Sequence, residues 1–170
     1  MNSDIDRGSS APDLQTALVH WLKEHHMKIS FAESLTGGLV SKKITEVSGA
    51  SEVFECGICS YSNRIKNQLL HVSAETLAVY TEYSRQTAME MADGIRRISG
   101  SDIAVSTTGL AGPGGGTEEQ PVGLVYIGIS SGHSLYAEEL HLSGNREEIR
   151  SQAAEYALLY AFKELNGTKF

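Results

Sequence analysis

The sequence predicts an α/β fold: a three-layer α/β/α sandwich around a mixed, mostly parallel sheet. Three observations carry that expectation. Short apolar segments of strand length alternate with stretches of helical periodicity, which is the pattern of a layered α/β domain. Two late strand segments are separated by only a few turn residues, which reads as a hairpin and so adds an antiparallel pair. The 170 residues, 41 % of them hydrophobic and 21 % charged, suffice for one globular domain with a full core.

Each element has its own local warrant. Leu14, Ala17, Leu18, Trp21 and Leu22 fall at helical spacing, and Pro12 suits a first helical turn, so the chain opens on a helix. KISFAES is a short strand, and GGLVSKKITEVSG reads as a helix ending near Gly49. VFECGICSYS is a second strand, followed by two short helical pieces, NRIKNQLLHV and SAETLAVY. SRQTAMEMADGIRRISG is an amphipathic helix with Ser84 as N-cap and Gly100 as its C′ residue. DIAVSTTGL is a strand that runs into the long turn AGPGGGTEEQP. VGLVYIGISS and HSLYAEELHL form the hairpin around Ser131, Gly132 and His133. The last helix opens at Asn145, with Glu148 at capping-box spacing. It carries Ile149, Ala153, Tyr156, Ala157 and Tyr160 along one side.

Composition narrows the function classes. A net charge of −7 and no basic stripe argue against a nucleic-acid groove. No apolar run approaches a membrane span. Met1 to Ser10 lacks an apolar core segment, so it reads as a disordered leader on a single domain over 11–170, and the expected location is cytoplasmic. Cys56 and Cys59 have redox spacing but sit in a strand, where residues three apart face opposite ways, so they read as two small strand residues. No second cysteine pair accompanies them, and no histidine has metal spacing with a carboxylate, so no metal is expected.

Three loops follow strands: ESLTGG, YSNRIK and TTGLAGPGGGT. In an open α/β sheet, ligands bind beyond the carboxyl ends of the strands. If these strands are parallel, Ser34, Thr36, Tyr61, Lys66, Thr107 and Thr108 share one neighbourhood. Five glycines within residues 109–116 let backbone N–H groups approach an oxyanion closely, although a flexible connection is an equal reading. ESLTGG taken alone fits an N-cap better than a nucleophile. None of the six histidines falls in the three loops, so a Ser–His–Asp triad is unsupported and Lys66 is the available base. A lysine acts as a base only where desolvation or nearby charge lowers its pKa.

Together, AESLTGG, YSNRIK and STTGLAGPGGGTEEQPVGLVYIG, followed by GNREEIRSQAAEYAL, closely resemble the CinA C-terminal domain family, whose enzymatic members are nicotinamide-nucleotide amidases. The resemblance runs from about Leu14 to Leu165. It implies a mixed-sheet α/β/α sandwich, a homo-oligomer and no metal or organic cofactor. It implies hydrolysis of the carboxamide of a mononucleotide, nicotinamide mononucleotide, to nicotinate mononucleotide and ammonia. The nucleophile falls on Ser34 and its partners on Tyr61 and Lys66, with the hydroxyl proton passing to Lys66 directly or through Tyr61. Substrate contacts fall on Thr36, Gly37, Thr108 and Gly109, and on Gly112, Gly114, Gly115 and Arg146, the glycine loop and Arg146 holding phosphate and ribose. Backbone N–H groups after Ser34 are the expected oxyanion donors.

Two positions depart from the family pattern. Leu35 stands where Cys is usual, and Thr81-Glu82-Tyr83-Ser84 replaces the common Gly-Ala-Val-Ser. Neither removes a catalytic group, and both can reshape the pocket. The expected form is a stand-alone version without the N-terminal nucleotide-processing domain of full-length members. Two further readings stand beside the amidase: a silent nucleotide-binding or regulatory module, motivated by Leu35, and an amidase for another amide. The stretch Tyr80 to Tyr83 and the Tyr156/Tyr160 helix are the candidate surfaces for self-association.

Overall fold

The computed structural model describes residues 13–167. The expected leader and Pro12 lie outside the described residues. The strands are β1 (Ile29–Glu33), β2 (Phe54–Cys59), β3 (Ile103–Gly109), β4 (Leu124–Ser130) and β5 (Leu135–His141). They form one sheet in the order β2-β1-β3-β4-β5. β2, β1 and β3 are mutually parallel, and β4 and β5 extend the sheet antiparallel. The hairpin pairs Ser130 with Leu135 around the expected turn. β1 and β3 are buried along their whole length, as central strands covered on both faces should be, whereas the edge strand β2 alternates.

The helices are α1 (Leu14–Glu24), α2 (Leu39–Thr45), α3 (Asn63–Leu70), α4 (Ala74–Tyr80), α5 (Arg85–Ser99) and α6 (Arg146–Leu165). α1, α2 and α6 cover one face of the sheet, and α5, backed by α3 and α4, covers the other. The larger core cluster lies on the first face, with Phe31, Val105 and Ile127 meeting Leu18, Leu22 and Ala157. Ser62, Ser73 and Ser84 cap α3, α4 and α5, and Asn145 with Glu148 closes a full capping box on α6. α1 is capped by Asp13, which accepts from the Thr16 N–H. Both ends of α2 differ from expectation, and α3 stops at Leu70, before His71 and Val72. α2 ends at Thr45, whose hydroxyl turns back onto the Ser41 and Lys42 carbonyls, and Gly49 instead opens a short 3₁₀ turn, Ala50–Glu52.

On the second face the packing is close. A Cβ on Gly94 of α5 would lie 1.9 Å from the Leu70 carbonyl oxygen, so only glycine lets the end of α3 rest against α5. The Ser106 hydroxyl donates to the Ala88 carbonyl at 2.6 Å, tying α5 to β3. α3 is therefore clamped at its C-terminal end, and its side chains are held at a set depth.

Candidate active site

The three parallel strands end level with one another: Glu33 pairs with Cys59 on one side and Thr107 on the other. The loops carrying Ser34, Tyr61 and the glycines consequently leave the sheet at one edge, as the sequence suggested.

Ser34 begins a tight turn between β1 and α2 that is fixed from several directions. The buried Glu33 carboxylate accepts from the N–H groups of Gly38 (2.9 Å), Val40 (3.1 Å) and Ser41 (2.9 Å), and from the Ser41 hydroxyl (2.7 Å). An anion at a helix N-terminus is stabilised by the free N–H groups there. From α6, Arg150 donates Nε to the Leu35 carbonyl and Nη2 to the Thr36 carbonyl, both at 2.9 Å. The Ser34 N–H donates to the Thr107 carbonyl at 2.9 Å, and the Thr36 and Thr107 hydroxyls meet at 2.7 Å. Gly37 donates to the Ser34 carbonyl and Leu39 to that of Thr36. Among the described residues, the N–H groups of Leu35 and Thr36 are the two in this turn left without a partner. A peptide's C=O and N–H point opposite ways. By holding the Leu35 carbonyl, Arg150 turns the Thr36 N–H away from itself.

Lys66, on α3, is 1 % exposed. Its Nζ lies 3.0 Å from Ser34 Oγ and 2.9 Å from the Ser60 carbonyl oxygen. Burial pushes its pKa down to about 8, and the weaker pull of the Glu82 carboxylate acts the other way. Tyr61 is placed differently. It is 65 % exposed at the rim, and its hydroxyl accepts from Arg146 Nη2 at 3.0 Å. Of the two expected proton routes, the direct Ser34–Lys66 contact is the one this geometry holds.

Ser34, Tyr61 and Lys66 line a single cavity of about 190 Å³ together with Arg146 and the glycine loop at Gly109, Gly112, Gly114 and Gly115. Arg146 also donates Nη1 to the Gly112 carbonyl at 2.7 Å, which anchors it to the loop. Among the described residues, the N–H groups of Ala111, Gly112, Gly114 and Gly115 have no partner in the protein. Three expected contacts do not line the cavity. Thr36 is fully buried with its hydroxyl on Thr107, Thr108 is fully buried with its hydroxyl donating to the Glu82 carbonyl at 2.6 Å, and Gly37 lies outside beside Arg150.

Leu35, Glu82 and Tyr83, the positions expected to reshape the pocket, do line the cavity. Other residues enter that the sequence reading passed over: Leu110 and Ala111 line the cavity, and Glu33 and Arg150 hold the turn from outside it. Arg150 sits one helical turn after Arg146, a spacing that could have flagged it. Tyr160 is 7 % exposed in the core and Tyr83 faces the cavity, which leaves Tyr80 as the exposed tyrosine of those named for self-association. Cys56 is half-buried and Cys59 exposed, and both are free thiols. Among the described residues, no group of three or more His, Cys, Asp or Glu is placed to hold a metal, and no helix is long and apolar enough to cross a membrane.

Comparison with known proteins agrees with this architecture. A CinA-like protein of Kosmotoga olearia is 45 % identical over 158 residues, which cover 93 % of this chain and 38 % of the relative. A CinA-like protein of Syntrophomonas wolfei is 52 % identical over 131 residues, 77 % of this chain and 32 % of the relative. The chain thus spans less than two fifths of the length of these curated relatives. Among solved structures, the competence/damage inducible protein CihA from Agrobacterium tumefaciens superposes with a TM-score of 0.84 at 36 % identity, covering 93 % of this chain and 99 % of that one. A CinA superfamily protein from Klebsiella pneumoniae gives 0.87 at 28 % identity, covering 91 % and 97 %. Residues 11–165 match the family model itself, and the chain belongs to the CinA C-terminal domain family.

Proposed function

We propose that the protein is a serine amidohydrolase that releases ammonia from the carboxamide of nicotinamide mononucleotide. The observation that carries this reading is the buried Ser34–Lys66 pair, 3.0 Å apart, with burial favouring the neutral amine. Neutral Lys66 takes the Ser34 proton as Oγ attacks the amide carbon. The resulting oxyanion is met by the unpartnered N–H of Leu35, which lines the cavity beside Ser34. Lys66 then returns the proton to the leaving nitrogen, ammonia departs, and an ester on Ser34 remains. In the second half, Lys66 takes a proton from water, the hydroxide attacks the ester, and Ser34 recovers its proton as the acid product leaves.

The free N–H groups of the glycine loop, with Arg146 beside them, suit the phosphate. That arrangement explains how an acidic protein accommodates a mononucleotide. A second reading, a silent binding module, is favoured by one observation: Leu35, a departure from the family motif, lines the cavity next to Ser34. The deciding experiment incubates the protein and its Ser34→Ala variant with the mononucleotide and measures ammonia. Release by the first and not the second supports the hydrolase. Silence of both, with a ligand-induced rise in Tm, supports the module.

A further inference from the structure

The segment joining α4 to α5 reaches the cavity through Glu82 and Tyr83. Its backbone is held hard. Thr81 has φ 67° and ψ 173°, a conformation that β-branched residues rarely take. Its hydroxyl accepts from the Tyr83 N–H (3.2 Å) and from Gln120 Nε2 (2.8 Å), and Gln120 also donates to the Tyr83 carbonyl (3.1 Å). Thr108 holds the Glu82 carbonyl from β3. A backbone secured from two neighbouring elements presents its side chains in a set position.

The Glu82 carboxylate accepts from Asn63 Nδ2 at 3.2 Å. Burial first, then the neighbouring Glu82 carboxylate, raise the pKa of the Tyr83 hydroxyl. Among the described residues, no Lys, Arg or His side chain forms an ion pair with Glu82. The same cavity carries the Arg146 guanidinium and the free N–H groups of the glycine loop. A purely anionic ligand would be repelled by Glu82, and a purely cationic one by Arg146. A ligand bearing both charges matches both.

We propose that Glu82, flanked by Tyr83, is a specificity-determining residue that selects amides carried on a positively charged aromatic ring over amides on a neutral ring. The inference rests on the amidohydrolase reading for the site's chemistry, but its selection step is one of binding. Carboxylate attraction and the tyrosine faces both favour a cationic ring. A cation seated there also offsets the charge that draws Lys66 toward its ammonium form.

The test uses two ligands that share amide, ribose and phosphate: nicotinamide mononucleotide, with a cationic ring, and its 1,4-dihydro form, with a neutral one. Calorimetry on the Ser34→Ala protein gives Kd for each without turnover. The charged ring should bind tighter. Adding Glu82→Gln, which keeps an acceptor for Asn63, should weaken the charged ligand about ten-fold while leaving the neutral one within about two-fold. Equal losses for both ligands, no loss for either, or no binding of either overturns the proposal. Ammonia release by the unmutated protein is read in parallel. Binding without release would sink the hydrolase reading alone, and the ratio of the two affinities would still decide ring selection.

Discussion

Replacing Lys66 by Met separates what the amine does for catalysis from what it does to stability. Met keeps most of the stem and removes the nitrogen. Burial takes Lys66 from its ordinary 10.5 to about 8. At about 1.4 kcal/mol per pKa unit, the protonated amine destabilises the fold by about 3 kcal/mol at pH 7. The substitution also strips the Ser60 carbonyl of its Nζ donor, which costs about 1–2 kcal/mol. The net expectation is a variant about 1–2 kcal/mol more stable at pH 7, or about 2–8 °C higher in Tm. Because the folded pKa lies below the unfolded one, the burden on the wild type is complete below pH 8 and lifts as the pH climbs toward 10.5. The variant's advantage should therefore shrink across that window and reverse above it. Melts of both proteins at pH 7 and pH 10, with ammonia release at each, make the assay. A variant that is less stable by the same margin at both pH values, and still hydrolyses the amide, would refute the reasoning and leave Lys66 a structural residue.

The remaining predictions concern the turn, the base and the packing beneath them. Ser34→Ala should lower ammonia release about a thousand-fold or more with little change in Tm; retained turnover would move the nucleophile elsewhere. With a base of pKa about 8, kcat/KM should rise about ten-fold between pH 7 and pH 9, as the neutral fraction of Lys66 grows, and a flat profile would exclude Lys66 as the base. Arg150→Met frees the Leu35 and Thr36 carbonyls without touching the cavity lining, so kcat should fall about ten- to a hundred-fold at nearly constant KM. The reverse split, raised KM at constant kcat, would make Arg150 a substrate contact instead. Gly94→Ala drives a methyl into the Leu70 carbonyl and should destabilise by about 1–3 kcal/mol, read as a lowered urea midpoint. An unchanged midpoint would contradict the close packing of α3 on α5.

Local signals located the elements well. Ser84, Asn145 and Glu148 cap the helices their spacing pointed to, and the hairpin turns at the expected residues. Those features depend on residues three or four apart, so they are written in short windows. The sheet order is different in kind. β1 takes β3 as a neighbour across more than sixty residues of chain, and nothing within either strand states that pairing. The start of α2 failed for a related reason. Gly37 and Gly38 look like the beginning of the helix, but the Glu33 carboxylate caps it from five residues back and leaves Gly38 left-handed at the N-cap position. A glutamate at the end of a strand carries no local sign that it will serve the next helix.

The site divides along the same line. The loops that bear Ser34, Tyr61, Lys66 and the glycines are recognisable as motifs, and the parallel strands bring them together. What makes Lys66 a candidate base is not in its motif. YSNRIK is equally compatible with a solvated surface lysine. Lys66 is buried because α3 is pressed against α5 at Gly94, 28 residues further along, and because the Val72 N–H returns to the Lys66 carbonyl and closes the helix end. Its chemistry is thus a consequence of packing between two helices, and a change at Gly94 that loosened α3 should move the pH dependence of hydrolysis toward the ordinary lysine range without altering any group in the cavity. Measuring that profile in the Gly94→Ala protein, at a temperature where it remains folded, tests the link: an unshifted profile would mean that the depth of Lys66 is set by its own turn and not by the helix behind it.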